Sequence, residues 1–258
     1  MIFRNEHHAH TGHKMIVSLN LPSITTVLFD WDFTLAYSLG LGVSHIARTA
    51  VLFQSFGVDC TEAEVVAAQA SLEADVAQGI LSTSLRPQKK REIIQLYREL
   101  LRRLGHPNDS YEFAYKIYAG YGRLPHTLFD DVHPTLHELQ ARNLQIGILS
   151  NHSSSVRHTI DQLLGNIIPQ NFITISEEVG THKPGKTIFR KAAAKLRQKP
   201  ANCVYIGDNL EVDALAAVQQ GGYAAGIWID RSSTEETSIS LPRNIYRLTN
   251  LTQLILLL

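Results

Sequence analysis

The sequence predicts an α/β fold: a Rossmann-like parallel sheet with helices on both faces, plus an inserted helical-bundle cap. The sheet is predicted because short apolar runs, each typical of a buried strand, alternate with helical segments through the second half of the chain. The insertion is predicted because a long earlier stretch shows helical periodicity and no strand pattern. The expected division is a flexible tail at 1–22, an α/β core at 23–36 and 123–258, and a helical cap at 37–122.

The first predicted strand covers Thr26 to Phe29 and stops on two carboxylates separated by one residue. Residues two apart on an extended backbone point to the same side, so Asp30 and Asp32 can converge. Two anions held together repel each other unless a cation lies between them or one is protonated. A solvated turn is the ordinary alternative for such a pair. After a parallel strand, however, the pair predicts a metal and phosphate site, because ligands bind at the carboxyl ends of such strands.

Four helices are expected in the inserted bundle. An apolar face indicates the first helix, and a capping box indicates the second. A proline in the first turn indicates the third helix, and an aromatic-rich segment indicates the fourth. Their expected starts are near Val43, Thr61–Glu64, Pro87 and Asn108. Glycines stand at both ends of the bundle, namely Gly40, Gly42, Gly120 and Gly122. They look like hinges, so we expect the bundle to act as a lid that excludes water from a bound ligand.

The aromatic residues of the fourth helix are Tyr111, Phe113, Tyr115 and Tyr118. They could stack on a base or sugar, but we interpret this stripe as bundle core, the commoner explanation. The basic run from Arg86 to Arg91 could attract an anionic substrate, although such a run at a helix start is usually a solvated face.

Strands after the bundle are expected near Leu144–Leu149, Phe172–Ile175, Cys203–Ile206 and Ala224–Trp228. A helix at about Pro134 to Arg142 leads into the first of these strands, and further helical segments connect the strands to one another. Strand, crossover helix and strand in repetition imply a parallel sheet. The closing leucine-rich segment at 254–258 is expected to be the last turn of a docked helix.

Polar groups follow these strands. Ser150 and Asn151 offer a hydroxyl and backbone N–H groups near a helix start, which suits phosphate oxygens. Lys183 supplies a compact positive charge. Asp208 and Asp213 supply two more carboxylates, and hard oxygen ligands shared with a phosphate suit Mg²⁺. Each group alone could be a helix cap, a surface lysine or a turn. Their order at successive strand ends predicts one Mg²⁺ and phosphate site.

Composition limits the partners. The chain carries 24 basic and 24 acidic side chains, and this neutral balance argues against a nucleic acid polymer as partner. Cys60 and Cys203 stand in apolar surroundings and are expected to be free thiols in a reducing compartment, so we expect a cytoplasmic protein. No run reaches the length of a membrane span, no secretory signal is recognisable, and no membrane partner is expected. The tail histidines, His7, His8, His10 and His13, are interpreted as incidental rather than metal-binding. The oligomeric state is not readable from sequence.

Four segments together resemble the motifs of the haloacid dehalogenase-like (HAD) superfamily of phosphohydrolases. The likeness extends over about 25–258, with the bundle at the position of the family's helical cap. The matching segments are Asp30–Leu35, Ser150–Asn151, Lys183–Pro184 and Gly207–Asp213. The sequence departs from the family pattern at Phe33, where glycine is usual, and at Gly185, where aspartate is common. Neither position supplies a reacting side chain, so only the loop shape near Phe33 is in question.

The resemblance implies a Mg²⁺-dependent phosphatase that acts on a small phosphorylated metabolite. Asp30 would attack phosphorus and form an aspartyl-phosphate, and Asp32 would protonate the leaving oxygen and later activate water. These roles need Asp32 protonated while Asp30 stays ionised. The implied metal ligands are Asp30, the backbone carbonyl of Asp32, and Asp208, with Asp213 just outside them. The residues expected to bind the substrate are Thr34, Ser150, Asn151 and Lys183.

Other functions fit parts of the pattern. A dehalogenase of the same superfamily does not need an acid at Asp32. A phosphosugar mutase uses the same motifs and stays open as an alternative. A catalytically silent binding protein on this fold would be expected to lack Asp30, Asp32 or Lys183. The run Ser176–Gly180 resembles a branch with pyrimidine nucleotidases and phosphoglycolate-type phosphatases, which suggests a nucleoside monophosphate or a phosphoglycolate-type substrate.

Overall fold

The computed structural model describes residues 24–38, 45–85, 87, 89–231 and 240–258. The predictions for the histidine-containing tail, for Arg86 and for Gly40, Gly42 and Val43 lie outside these ranges.

Eight strands and a set of helices organise the described chain. The strands are β1 (Thr26–Phe29), β2 (Ala36–Ser38), β3 (His126–Leu128), β4 (Gln145–Ser150), β5 (Ile173–Ile175), β6 (Cys203–Gly207), β7 (Ala225–Ile229) and β8 (Ile245–Leu248). The helices are α1 (His45–Ser55), α2 (Glu62–Ala77), α3 (Lys90–Arg103), α4 (Tyr111–Gly120), α5 (Val132–Ala141), α6 (Val156–Leu164), α7 (Ser176–Val179), α8 (Lys186–Lys195) and α9 (Leu254–Leu257). Two π-helical segments, Leu210–Leu215 and Ala217–Gly221, lie between β6 and β7. None of the described helices combines the length and apolar character that crossing a membrane requires.

Six of the described strands form one parallel sheet in the order β5-β4-β1-β6-β7-β8. Strand β1 lies between β4 and β6, with Phe29 in register with Ile148 on one side and Ile206 on the other. The carboxyl ends of these three strands therefore adjoin at one edge of the sheet. This placement brings residues from three distant parts of the sequence to one location.

Both faces of the sheet are buried. Alternate residues along β1 enter different apolar clusters: Val27 and Phe29 pack on the side of α5, α6 and α9, and Leu28 packs on the side of α8. Burial on both faces explains why the strands are continuous apolar runs rather than alternating ones. The predicted α/β sheet with helices on both faces is confirmed, and Leu254 and Leu257 dock the closing helix as expected.

The helical insertion lies between β2 and β3, which pair as a two-stranded antiparallel ribbon. Helices α1 to α4 pack around an apolar core of their own. In α2 that core is reached by Val65, Ala68 and Leu72, whose spacing places them on one helical face. The capping box predicted at Thr61 and Glu64 is present. The bundle is therefore a separate helical layer beside the sheet, and 37–122 stays our proposed extent for the cap.

Two predictions inside the bundle are wrong. Helix α3 begins at Lys90, not at Pro87, because the Glu92 carboxylate accepts the backbone N–H of Lys89 at 3.4 Å and so closes the helix start there. The aromatic stripe of α4 is not bundle core as a whole, because Tyr111 and Tyr115 are exposed. Residues spaced by two cannot share a helical face. The inward face of α4 consists instead of Ala114, Ile117 and Tyr118.

Candidate active site

A cavity of ≈ 1240 Å³ lies between the carboxyl edge of the sheet and the helical bundle. Seven of the eight residues predicted for the site line it, namely Asp30, Asp32, Ser150, Asn151, Lys183, Asp208 and Asp213. They arrive there because β1, β4 and β6 are neighbours, and Asp30, Ser150 and Asp208 stand at or just beyond the ends of these strands. His152 and His182, which flank motif residues in sequence, also line the cavity.

Thr34 differs from its prediction as a substrate-binding residue. Its side chain is fully buried and is absent from the cavity wall, and its hydroxyl has no hydrogen-bond partner within the described ranges. Its carbonyl oxygen instead accepts a hydrogen bond from Nε of Arg231 at 3.1 Å. Arg231 in turn forms a two-pronged ion pair with Asp131, at 3.0 Å to each oxygen. Thr34 therefore ties the loop after β1 to the core rather than contacting a ligand.

Lys183 is buried and joins three of the site's groups. Its ammonium lies 3.0 Å from Oδ1 of Asp30, 2.6 Å from Oδ1 of Asp213, and 2.9 Å from the hydroxyl of Tyr205. Burial would lower the pKa of this lysine, but the carboxylates of Asp213 and Asp30 raise it above its usual range. Lys183 therefore stays charged beside Asp30.

The backbone of Lys183 is held by Asn151. The side-chain amide of Asn151 accepts the N–H of Lys183 at 2.8 Å and donates to its carbonyl oxygen at 3.0 Å. Asn151 was predicted to bind substrate phosphate, and the structure shows that its side chain holds the lysine loop against the end of β4. Phosphate binding by the backbone N–H of Asn151 stays a prediction.

Three carboxylates, those of Asp30, Asp208 and Asp213, have oxygens within 4.8 Å of one another. Burial, together with the neighbouring carboxylates, raises the pKa of Asp30 to about 6 and that of Asp208 to about 8, against the opposing charge of Lys183. A single ammonium does not balance three carboxylates, so the cluster favours a bound cation. Hard carboxylate oxygens with room for a shared phosphate are ligands that suit a divalent ion such as Mg²⁺. The donor set therefore fits the predicted metal.

Both carboxylate oxygens of Asp213 accept hydrogen bonds from neighbouring groups. One of its oxygens accepts the hydrogen bond from Lys183, and the other accepts the backbone N–H of Asn209 at 3.0 Å. Gly207 makes room for it, because a Cβ at that position would lie 2.4 Å from the carboxylate. These contacts engage both oxygens of Asp213, and its place just outside the metal ligands stays a prediction.

Asp32 lies among three nitrogen groups that the sequence did not point to as a set. Its carboxylate is 3.5 Å from Nη1 of Arg48, 3.4 Å from Nε2 of His126 and 3.5 Å from Nε2 of His152. Both imidazoles use Nδ1 on a backbone carbonyl, which aims Nε2 at the carboxylate. Burial alone would raise the pKa of Asp32, but Arg48 and the two histidines outweigh it and hold that pKa well below its usual range.

The described geometry thus opposes the protonation that the mechanism expects of Asp32. The implied mechanism needs Asp32 protonated and Asp30 ionised, whereas the environment raises the pKa of Asp30 and lowers that of Asp32. The physical reasons are burial, which raises the pKa of Asp30 with help from neighbouring carboxylates, and the guanidinium that faces Asp32 and lowers its pKa. Burial lowers the pKa of His152 to about 4, against the pull of the Asp32 carboxylate.

Phe33 adopts the backbone conformation for which glycine is usually needed. Its φ is +57°, in the left-handed region that bulky residues rarely occupy. The loop after β1 therefore has a glycine-type shape despite the substitution. The ring centre of Phe33 lies 4.6 Å from the guanidinium carbon of Arg48, and the ring centre of Tyr121 lies 4.7 Å from the same carbon. The departure from the family pattern thus builds a contact to the cap.

Sequence reasoning missed Arg48, His126, Tyr121 and Tyr205. Arg48 is a single basic residue within an apolar helix, and His126 lies on the unpredicted strand β3. Tyr205 stands in an apolar strand, where its hydroxyl gives no pattern. Spacing along the chain carries no signal for any of them, since each reaches the site through packing between distant segments.

Comparison with known proteins agrees with this geometry. The family model described as haloacid dehalogenase-like hydrolase matches residues 24–221. The chain belongs to this family. It is 29% identical over 210 residues to glyceraldehyde 3-phosphate phosphatase of Methanopyrus kandleri, covering 77% of this chain and 81% of the relative. It is 28% identical over 228 residues to N-acylneuraminate-9-phosphatase of Rattus norvegicus, covering 83% and 86%.

Among solved structures, the HAD-hydrolase YfnB from Bacillus subtilis, bound to magnesium, aligns with a TM-score of 0.63 at 20% identity. The alignment covers 90% of this chain and 96% of that one. At this identity the likeness shows the fold. The predicted family is confirmed, and the predicted class of enzyme, a phosphoric monoester hydrolase, is confirmed by the family match together with the named phosphatase relatives.

Proposed function

We propose that this chain is a Mg²⁺-dependent phosphatase that hydrolyses a small phosphorylated metabolite through an aspartyl-phosphate on Asp30. The observation that carries the proposal is the meeting of Asp30, Lys183 and Asp208 at one cavity wall. This arrangement combines a carboxylate nucleophile, a fixed positive charge and a second carboxylate for a cation. Phosphoryl transfer depends mainly on positioning and on neutralising the charge of the phosphate oxygens, and these groups can do both.

The metal would be held by the side chains of Asp30 and Asp208 and by the backbone carbonyl of Asp32. When bound, it would offset the negative charge of the phosphoryl group and of the carboxylate cluster. The crowding of three carboxylates around one ammonium supports this assignment, since burial and mutual repulsion raise the pKa of Asp30 and Asp208 and a bound cation would offset both.

The protein's own groups would carry the remaining steps. Lys183 holds one oxygen of Asp30 and so orients the carboxylate for attack on phosphorus. The hydroxyl of Ser150 and the backbone N–H groups that follow it would receive the phosphate oxygens. Asp213 and Asn151 keep Lys183 in place from two sides. These contacts fix the geometry before substrate arrives, which is how positioning lowers a barrier.

Asp32 would act as the acid for the leaving oxygen and then as the base for the attacking water. Its pKa is low in the described geometry because Arg48 faces it. The proposal therefore requires that a bound substrate draw Arg48 away from Asp32 or bring negative charge near it, since either change favours the protonated carboxyl. Asp32 also argues for phosphate ester hydrolysis over dehalogenation, which has no use for an acid at this position.

The substrate is proposed to be a nucleoside monophosphate or a phosphoglycolate-type molecule, and the cavity is large enough for either class. Two curated relatives are named for phosphatase activity on glyceraldehyde 3-phosphate and on N-acylneuraminate 9-phosphate, which supports a small phosphorylated substrate. A phosphosugar mutase stays the alternative, because it would use the same groups and return the phosphoryl group to the sugar.

The test is phosphate release from p-nitrophenyl phosphate and from a panel of nucleoside monophosphates, phosphosugars and phosphoglycolate, with Mg²⁺ and with EDTA. We expect Mg²⁺-dependent release that Asp30→Asn abolishes. Inactivity of the wild type across the panel would favour the silent binding protein. An isomerised phosphosugar in place of free phosphate would favour the mutase.

A further inference from the structure

Arg48 is a buried cation that reaches the reacting end of the cavity from the cap. It belongs to α1, yet its side chain is 1% exposed and lines the cavity beside Asp32. The rings of Phe33 and Tyr121 both pack against the guanidinium, with centres 4.6 and 4.7 Å from its central carbon. The N–H donors of a guanidinium lie in its plane and point outward from its edge, so a ligand anion would bind there.

The donors of Arg48 are incompletely used. It forms an ion pair with Asp32 at 3.5 Å, which is longer than the roughly 2.7–2.9 Å of a well-formed charged hydrogen bond. Its Nε is buried and has no hydrogen-bond partner among the residues that the structure describes. A buried polar group without a partner is costly to a fold. Because Arg48 also lines the cavity, its unused donor capacity makes it a candidate for contact with a ligand.

The other cations that the cap contributes to the cavity wall are placed differently. Lys90 is paired with Glu177 at 2.7 Å and lies over the ring of Tyr115. Lys89 is 62% exposed and lies 3.7 Å from Glu92. Arg91 is exposed as well. Solvent screens exposed charges of this kind, so they contribute little to selective binding. Arg48 differs from these residues because its side chain is buried and lies beside Asp32, the proposed acid.

We propose that Arg48 binds a second anionic group on the substrate, a carboxylate or a further phosphate, carried by the alcohol part of the ester. This inference rests on the proposed function, in which Asp32 protonates the leaving oxygen. Because Arg48 lies next to Asp32, an anion within a few bonds of that oxygen would reach the guanidinium edge. The same contact would draw Arg48 from Asp32. The substrate class is therefore a phosphate monoester of an acidic or bisphosphorylated alcohol.

A competing explanation gives Arg48 a purely structural role, in which it orients Asp32 or keeps the cap against the core. That explanation predicts equal losses for every substrate when Arg48 is changed. The proposal predicts losses that depend on the charge of the alcohol part. Substrate pairs that differ in that charge separate the two.

The experiment compares kcat/KM for two matched pairs with the Mg²⁺-loaded enzyme. The carboxylate pair is 3-phosphoglycerate and glycerol 3-phosphate, and the phosphate pair is propane-1,3-diol bisphosphate and 3-hydroxypropyl phosphate. In at least one pair, the wild type should prefer the member with the additional anionic group, 3-phosphoglycerate or the bisphosphate, by about 10- to 100-fold. This is the range that a hydrogen bond between charged groups provides. The pair that shows the preference identifies which anion the site takes.

Arg48→Gln should reduce that preference to within about threefold, and Arg48→Lys should keep part of it, because lysine retains the charge without the planar fork. Lys89→Gln is the matched control on the same cavity wall and should leave the preference as in the wild type. Thermal unfolding of each variant checks that the fold persists. The substrate preference of the wild type is measured without any variant, so it tests the proposal even if a variant fails to fold.

The outcomes separate this inference from the proposed function. A wild type that releases phosphate from all four compounds without preference overturns the role of Arg48 and leaves the phosphatase intact. Equal losses for both members of each pair in Arg48→Gln favour the structural role and also overturn the inference. Absence of Mg²⁺-dependent phosphate release from any compound, p-nitrophenyl phosphate included, overturns the proposed function itself.

Discussion

The hydroxyl of Tyr205 links the ammonium of Lys183 to the neighbouring strand. It accepts a hydrogen bond from Lys183 at 2.9 Å and donates one to the carbonyl oxygen of Leu149 at 2.6 Å. Both contacts are buried, and Tyr205 lies on β6 while Leu149 lies on β4. The position of the lysine therefore depends on the spacing of strands on either side of β1. Tyr205 is a positioning residue that acts through Lys183.

Tyr205→Phe should lower kcat by about 10-fold and the free energy of unfolding by about 1–3 kcal/mol, because it leaves a buried ammonium and a buried carbonyl oxygen each short of one partner. Tyr223→Phe is the matched control. Its hydroxyl donates to the carbonyl oxygen of Phe189 in the same aromatic cluster, away from Lys183. The control should lose comparable stability and keep kcat. Equal kcat values in the two variants would contradict a role for Tyr205 in positioning the lysine.

Phe33 gives a test of backbone strain. Its φ of +57° costs a residue with a side chain more than it costs glycine. Phe33→Gly should therefore be more stable than Phe33→Ala by about 1 kcal/mol in urea unfolding, although glycine is usually the less stable replacement. At Leu35, which is buried in the same loop and has no positive φ, alanine should be the more stable replacement. If the alanine variant were the more stable one at Phe33 as well as at Leu35, the backbone of Phe33 would be unstrained.

The pair of Lys90 and Glu177 connects the cap to the core. Burial opposes ionisation of Glu177, but hydrogen bonds from Lys90 and Ser154 outweigh it and lower its pKa below the ordinary 4.5. A carboxyl whose folded pKa is lowered stabilises the fold above its unfolded pKa and loses that effect as the pH falls through the folded pKa. Wild type should therefore exceed Glu177→Gln in unfolding free energy at pH 6–8 by up to about 1 kcal/mol.

That difference should shrink as the pH falls below 4.5 and as salt is added. Glu138→Gln removes a similar ion pair, with Arg142, that lies on a single core helix. It serves as the control for a pair that does not connect cap and core. A Glu177→Gln difference that stays constant from pH 7 to pH 3 would contradict the assigned role of the carboxylate.

The two thiols should be unreactive in the folded protein. Cys60 and Cys203 are both buried, and burial raises the pKa of Cys203 to about 12 and that of Cys60 above its usual value. Because the thiolate is the reactive form, iodoacetamide at pH 8 should label neither residue at an appreciable rate until denaturant is added. Rapid labelling of Cys203 in the native enzyme would show that β6 opens.

Much of the fold was predictable because its sheet is buried on both faces. Apolar runs such as Val27–Phe29 and Cys203–Ile206 give an unambiguous strand signal, and the helices between them dictate parallel pairing. Strands β2, β3 and β8 were missed because they are short and mix polar with apolar residues. The prediction for the aromatic segment of α4 was wrong because it relied on the number of aromatic residues and not on their spacing, which leaves Tyr111 and Tyr115 exposed.

The carboxyl-edge residues were predictable because strand order along the chain and adjacency in the sheet place Asp30, Ser150 and Asp208 together. What could not be predicted is the set of groups that reach the site through tertiary packing. Arg48 arrives from the cap, and Tyr205 acts through a single hydroxyl on an apolar strand. The positive charge around Asp32 follows from such packing. The sequence therefore carries no sign that the pKa of Asp32 is lowered while that of Asp30 is raised.

The central claim is that Asp30 accepts the phosphoryl group. The most direct measurement is acid-quenched turnover of p-nitrophenyl phosphate by Asp32→Asn, followed by mass spectrometric mapping of the phosphorylated peptide. This variant should form the adduct, because p-nitrophenolate leaves without an acid, and should release it slowly for want of a base. We predict a hydroxylamine-labile phosphoryl group on Asp30. A phosphoryl group on any other residue would contradict the account.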